Sequence, residues 1–123
     1  MAAIDEQGIR DAVLDYFEGW FDADASRMDR ALHPELVKRW AGDSEHAFGP
    51  TTTKQRMLEL TEAGAGQEDR GGPATEIRVV DVHRDIACVV ASSGPYLEYL
   101  HLYRTPDGWR IVGTLWQFGG DGR

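Results

Sequence analysis

A change of hydrophobic period along the chain constrains the fold more than any other feature of this sequence. In the first third, apolar residues recur at spacings of three and four, which places them on one face of a helix: Ile9, Val13, Tyr16, Phe17, Trp20 and Phe21. After Thr75, the apolar positions alternate with polar ones or run together with β-branched residues, as they do in strands. The sequence therefore predicts helices followed by a run of strands, which is an α+β order.

The helical part divides at capping residues and prolines. The predicted elements are helices at about 4–22, 27–32 and from caps at 51–53 to about 63, with a short strand at 36–40. The second helix ends at His33 because the residue before a proline is pushed out of helical geometry. Residues 64–73 contain four glycines and one proline, which predicts a mobile connector.

The predicted strands after Thr75 contain too few polar residues for a sheet with one solvent-exposed face. Residues 86–91 have no polar side, and 97–103 are interrupted only by Glu98 and His101. A slip of parity at Val79 and Val80 predicts a β-bulge there. The helices would cover one face, and a second copy of the chain would cover the other. The alternative is a single-sided sheet with a few exposed apolar residues.

Composition excludes several classes of function. Acidic residues outnumber basic ones by 21 to 13, giving a net charge of −8, so nucleic acid is not an expected partner. The longest apolar run has six residues, too short to span a membrane. The single cysteine excludes an intrachain disulfide framework, and the acidic N-terminus lacks the apolar segment of a signal peptide. We therefore expect a cytoplasmic protein.

Three segments together resemble a known family. They are 16–20 on the first helix, 31–39 around His33-Pro34, and 98–112, which includes the turn at Pro106-Asp107-Gly108. Over roughly residues 5–118 the chain is similar to the nuclear transport factor 2-like superfamily. Within it, the chain most resembles the putative lumazine-binding family, near the polyketide-cyclase-like and ketosteroid-isomerase-like branches. The resemblance implies a single domain over residues 1–123 with a cystatin-like cone, in which three N-terminal helices pack in a curved antiparallel sheet. It also implies a pocket at the open end of the cone and a homodimer through the outer sheet face.

The resemblance names Tyr16 as a candidate catalytic residue. Tyr16 matches the tyrosine on the first helix of the isomerase-like branch, where a phenol could donate to a developing oxyanion. The general base of that branch would fall at about Arg39 or Trp40, and neither is a base at neutral pH. The sequence therefore argues against the steroid-isomerase mechanism.

Two histidines are further candidates for catalysis. The dehydratase-like branches need a paired His and Asp, for which His33 and His101 are candidates, with Asp24 or Asp81 as orienting partners. His101 would face the cone or the outer face of the sheet, depending on strand parity. His46 and His83 are expected to be exposed. The four histidines show no ligand spacing, so neither a metal nor a cofactor is predicted.

A ligand pocket is predicted from side chains that would border the cone in the resembling family. They are Tyr16, Trp20, Trp40, Met57, Tyr99, His101 and Trp116. Flat rings with polar tips suit a planar, partly polar organic molecule. Three functions remain open: a binding protein for an unidentified small organic ligand, a lyase or isomerase acting on a cyclic or polyketide-like compound, and a dimeric structural or interaction module with a filled core.

Overall fold

Three helices pack against one face of a six-stranded sheet in the computed structural model, which describes residues 5–42 and 48–119. The helices are α1 (Glu6–Phe21), α2 (Ala25–Ala31) and α3 (Lys54–Glu62). The strands are β1 (Leu32–Ala41), β2 (Phe48–Thr52), β3 (Glu76–His83), β4 (Ile86–Ser93), β5 (Tyr96–Thr105) and β6 (Gly108–Phe118). The predicted α+β fold is confirmed.

Side-chain caps start all three helices. Asp5, Asp24 and Thr53 each accept a hydrogen bond from the backbone N–H three residues later, which satisfies one of the donors left free at a helix start. The predicted buried face of α1 is observed, with Ile9 and Val13 fully buried. Among the described helices, none is long and apolar enough to cross a membrane.

The sheet has the strand order β2-β1-β6-β5-β4-β3. Neighbouring strands are antiparallel except β1 and β6, which run parallel. The sheet is therefore mixed, whereas the sequence analysis expected an antiparallel one. The difference arises because β1 pairs with β6, the last strand, rather than with β3, which follows the β1–β2 hairpin in sequence. The pair of β1 and β6 is the parallel one.

Two faces of the sheet can be told apart by strand parity. The inner face packs on the helices through buried side chains that include Leu36, Val89, Leu100, Leu102 and Ile111. We call the space between the helices and this face the cone interior, and the opposite surface the outer face. The predicted bulge is confirmed, because the β3–β4 register shifts between Val79 and Asp81. Without this extra residue, the last residues of β3 would present the wrong face to the core.

Two segments differ from the sequence predictions. β2 lies where the sequence analysis expected a loop followed by helix caps. The strand was missed because Gly and Pro residues are rare inside strands and are typical of loops. The connector 64–73 contains a short 3₁₀ turn at Gln67–Asp69 and is anchored to α1 rather than free. Gly66 is buried against Trp20, and Arg70 pairs with Asp22 at 2.6 Å.

Candidate functional site

Four polar side chains meet in the cone interior, surrounded by the apolar core. The Tyr16 hydroxyl donates to Oε1 of Glu98 at 2.8 Å, and Thr114 Oγ1 donates to the same oxygen at 2.7 Å. Lys38 Nζ lies 3.5 Å from that oxygen and also donates to the Tyr16 hydroxyl. All four residues are buried, and Glu98 is only 2% exposed. We call these four residues the polar cluster.

The local sequence pattern explains how each member reaches the interior. Lys38 shares its strand parity with the buried Leu36, so both side chains face the helices. Glu98 likewise shares the inward parity of Leu100 and Leu102. Tyr16 lies on the buried face of α1. Three separate elements therefore supply the amine, the carboxylate and the phenol.

Burial sets the protonation of the phenol and the amine in the polar cluster. Burial raises the pKa of Tyr16 well above its usual value of 10.0, and the neighbouring Glu98 charge raises it further. Tyr16 is therefore a neutral donor at physiological pH. Burial lowers the pKa of Lys38 from its usual 10.5, while the attraction of Glu98 opposes that shift.

A small cavity adjoins the polar cluster. Its volume is about 80 Å³, and its wall consists of Tyr16, Phe17, Trp20, Lys38, Met57, Tyr96, Glu98 and Trp116. The Lys38 ammonium nitrogen lies 4.8 Å from the centre of the Tyr16 ring and 5.2 Å from the centre of the Trp116 ring. Both contacts are within the range of cation–π attraction.

Aromatic side chains hold the wall of this cavity in place. Trp20 Nε1 donates to the Tyr96 hydroxyl at 3.2 Å, and that hydroxyl donates to Asp69 Oδ2 at 2.5 Å. Burial and this bond to Asp69 raise the pKa of Tyr96. The Tyr96 ring meets Trp116 edge to face at 5.4 Å and stacks on Phe118 at 6.0 Å. The connector thus fixes the aromatic wall through one carboxylate.

The structure brings together four of the residues predicted for the pocket. Tyr16, Trp20, Met57 and Trp116 all line the cavity. Trp40 shares the inward parity, but it packs beside Trp116 with ring centres 6.2 Å apart and does not line the cavity.

Two predicted pocket residues lie on the other side of the sheet, which corrects the sequence analysis. Tyr99 and His101 are exposed on the outer face, where His101 pairs with Cys88 of β4. Because side chains alternate along a strand, the inward position of Glu98 sends both of them outward. They therefore cannot share a pocket with Tyr16.

Three of the four histidines line a groove on the outer face rather than the cone interior. This groove has a volume of about 580 Å³, and His33, His83, His101 and Tyr103 are among its lining residues. The His33 ring meets Tyr103 edge to face at 6.2 Å, and its Nδ1 accepts the backbone N–H of Glu35 at 3.0 Å. His33 and His101 thus share a surface with each other but not with Tyr16.

The carboxylates considered as histidine partners have separate positions. Asp81 lines the outer groove, whereas Asp24 caps α2. His46 lies outside the described residues. Within residues 5–42 and 48–119, no group of three or more His, Cys, Asp or Glu side chains is arranged to hold a metal ion.

Sequence reasoning missed Lys38 and Glu98, although a signal for each was present. Lys38 stands between Leu36 and Trp40 at alternate positions, so an inward Leu36 requires an inward Lys38. Glu98 is the one carboxylate in the apolar strand around it, and a lone charge at an inward position marks a buried polar contact. Neither Arg39 nor Trp40, where the sequence analysis expected the base position, lines the cavity.

Comparisons with known proteins agree with this architecture. The sequence model of the family described as "Putative lumazine-binding" matches residues 4–117. A comparison with curated proteins found no match.

Solved structures show the same fold at low sequence identity. An NTF-2 like protein of unknown function from Silicibacter pomeroyi DSS-3 has a TM-score of 0.69 and 14% identity, with 92% of this chain and 94% of that chain covered. A ketosteroid isomerase-like protein from Erwinia carotovora atroseptica SCRI1043 has a TM-score of 0.67 and 20% identity, with 96% and 99% covered. An NTF2-like protein with a cystatin-like fold from Novosphingobium aromaticivorans has a TM-score of 0.64 and 16% identity, with 95% and 83% covered. The chain therefore has the fold of these NTF2-like structures and belongs to the putative lumazine-binding family.

Proposed function

We propose that this protein binds a small organic molecule in the cone interior, at the polar cluster. The observation that carries the proposal is the convergence of Tyr16, Lys38 and Glu98 on one aromatic-walled cavity. An apolar cavity with a few convergent polar groups is the usual form of a small-molecule site. If the cone interior were only a hydrophobic core, a buried ion pair would not stabilise it more than apolar side chains do. Removing each charge from water costs on the order of several kcal/mol.

The size of the cavity limits what it can hold as it stands. Its 80 Å³ is about the volume of two or three water molecules and well below the roughly 300 Å³ of a usual ligand pocket. A cavity of this size is too small for a large planar ligand, and this favours the filled-core alternative over the binding of such a ligand. We expect a compound of a few heavy atoms to enter directly, and a larger one only if Trp20 or Trp116 moves.

Binding can be tested by enlarging the cavity with a matched control. Met57→Ala removes a wall residue, whereas Met28→Ala removes the same atoms from a buried site outside the cavity. Both should lose stability by about 2–5 kcal/mol. We expect small uncharged carbonyl compounds of a few heavy atoms to raise the melting temperature of the wild type, and single-ring compounds such as phenols to do so only for Met57→Ala.

The outcome separates binding from a filled core. If no compound stabilises the wild type or Met57→Ala, the cone interior is only a core and the proposal fails. Equal stabilisation of Met57→Ala and Met28→Ala by the single-ring compounds would show that binding is elsewhere.

A lyase or isomerase remains a second candidate because of one contact. The Tyr16 phenol, which donates to Glu98 Oε1 at 2.8 Å, is buried beside the cavity, and a phenol in an apolar site can donate to an oxyanion that develops on a bound substrate. His33 and His101 do not take part in this candidate, because they lie on the outer face.

We further propose that two copies of the chain pair through the outer face. Val37, Tyr99, Leu115, Ile86 and Tyr103 all project from it and are 43% to 56% exposed. Copies that each carry a net charge of −8 repel one another, so they meet most easily through a surface whose central side chains are uncharged. A two-fold interface of this kind needs only one self-complementary patch.

A further inference from the structure

Lys38 is one of only two lysines in the chain, and the two have different surroundings. Lys54, on α3, pairs with Asp29 at 3.1 Å and donates to the Leu32 carbonyl oxygen at 2.9 Å, and its side chain is 19% exposed. Lys38 is enclosed by the rings of Tyr16 and Trp116 and opens on the cavity.

We propose that Lys38 is a nucleophilic amine that forms an imine with a small uncharged aldehyde or ketone held in the cavity. This inference rests on the proposed function, since the carbonyl compound must first bind in the cone interior. Desolvated lysines in apolar pockets are the usual amines of Schiff-base chemistry in proteins.

The polar cluster supplies what the amine needs to react. An ammonium group is not nucleophilic, so Lys38 must first give up a proton. Glu98 Oε1, 3.5 Å away, is the acceptor, and burial of Lys38 favours this transfer because it lowers the pKa of the amine. Tyr16 stays protonated and can donate to the carbonyl oxygen as negative charge develops on it.

The atoms and charges of the step balance within the cluster. The Nζ lone pair attacks the carbonyl carbon, a C–N bond forms, and the carbonyl π pair moves to oxygen. The oxygen takes the proton that the attacking nitrogen loses, which gives a neutral carbinolamine. The nitrogen lone pair then expels that oxygen as water, with the second proton returned through Glu98. Overall, one ammonium and one carbonyl become one protonated imine and one water, with no oxidant or reductant.

Charge and size define the class of carbonyl compound. Lys38 and Glu98 together carry no net charge, so the cavity offers no excess attraction for an anion such as a 2-oxo acid. Its volume of about 80 Å³ fits a compound of a few heavy atoms, and its wall is mostly aromatic. Short-chain aldehydes and ketones meet these conditions.

The test is reductive trapping of the native protein with acetaldehyde and cyanoborohydride, followed by peptide mass mapping. The reagent converts an imine to an ethylated amine, which marks the lysine that formed it. The ratio of ethylation at Lys38 to that at Lys54 is measured in the native protein and again in urea. We expect the ratio to be severalfold higher in the native protein, because only the folded cavity activates Lys38.

Variants separate this inference from the proposed function. Lys38→Arg keeps the charge but cannot form an imine, and should lose the label at position 38, while Lys54→Arg should leave labelling of Lys38 unchanged. A native ratio equal to or below the ratio in urea overturns the imine. If carbonyl compounds raise the melting temperature while that ratio stays low, binding stands and the covalent step fails. If they neither stabilise the protein nor label Lys38, both fail.

Discussion

Glu98 decides the balance of charge in the cone interior. Its Oε1 accepts hydrogen bonds from Tyr16 and Thr114 and faces the Lys38 ammonium. A glutamine at this position keeps an oxygen for the two hydroxyls but removes the negative charge. Lys38 would then be a buried cation without a counter-charge, which is among the most costly defects a core can carry.

We therefore expect Glu98→Gln to lower the free energy of unfolding by about 3–5 kcal/mol near neutral pH. The pKa of Lys38, already lowered by burial, falls further when Glu98 no longer raises it. A lysine whose folded pKa lies below its unfolded value gives up a proton on folding, so stability rises with pH up to the unfolded value near 10.5. Urea unfolding between about pH 6 and 9 should show the deficit shrinking as pH increases.

The double variant Lys38→Met with Glu98→Gln is the control. It removes both charges and should be more stable than Glu98→Gln alone. A deficit for Glu98→Gln that is independent of pH would show that Lys38 is not the source of the cost.

At this scale the sequence predicts only part of the site. Tyr16 lies on the apolar face that the period of α1 predicts, and the resemblance to the family places Tyr16, Trp20, Met57 and Trp116 at the pocket. Lys38 and Glu98 do not follow, because β5 is apolar at both parities and its inward face cannot be identified until its partners are known. The same ambiguity led to His101 being placed in the pocket.

The connector between α3 and β3 shows how one element sets the shape of another. Gly66 lies so close to α1 that a Cβ atom there would be 2.4 Å from Trp20 Cδ1 and 2.5 Å from the Trp20 carbonyl oxygen. Trp20 is a wall residue of the cavity. The path of the connector therefore controls the position of that wall.

Gly66→Ala should destabilise the protein by about 1–3 kcal/mol, since the contact with the backbone oxygen cannot be relieved by a side-chain rotation. It should also shift the fluorescence of Trp20 and weaken any ligand binding in the cone interior. Gly72→Ala is the matched control, because its nearest atoms would be at 3.4 Å. Equal effects of the two substitutions would show that the contact at Gly66 does not matter.

Element prediction succeeds where period and capping agree. The helices follow from their apolar spacing and, for α3, from the predicted caps at 51–53, and the bulge at Val79 and Val80 follows from a slip of parity. β2 has no such signal, because it becomes a strand only by pairing with β1, through contacts such as Lys38 with Thr52. Pairing with a distant partner is not encoded in a local pattern.

At the scale of the whole molecule, the outer face is the surface that most needs an explanation. It carries a cluster of exposed apolar side chains centred on Tyr99 and Leu115, which are paired across β5 and β6. The absence of a clean polar parity in these strands led to the expectation of a second copy. The fold and the family agree with the sequence, while assembly stays a prediction.

Replacing Leu115 by Glu tests that prediction. If two copies meet on the outer face, the substitution places like charges at the interface and should lower the dimer affinity at least about tenfold, measured by sedimentation. Gln55→Glu, on the exposed side of α3, adds the same charge elsewhere. It should leave the dimer affinity measured by sedimentation unchanged. A wild-type chain that sediments as a monomer at all concentrations would exclude the pairing.

The alternation of β5 has a thermodynamic consequence that joins these two surfaces. Glu98 points into the cone and Tyr99, the next residue, points out, so a single peptide unit separates the polar cluster from the proposed dimer contact. A ligand that shifts the backbone at Glu98 must also shift Tyr99. Binding inside and pairing outside would then be linked equilibria. If the ligand changes the dimer association constant by some factor, dimer formation must change the ligand affinity by the same factor.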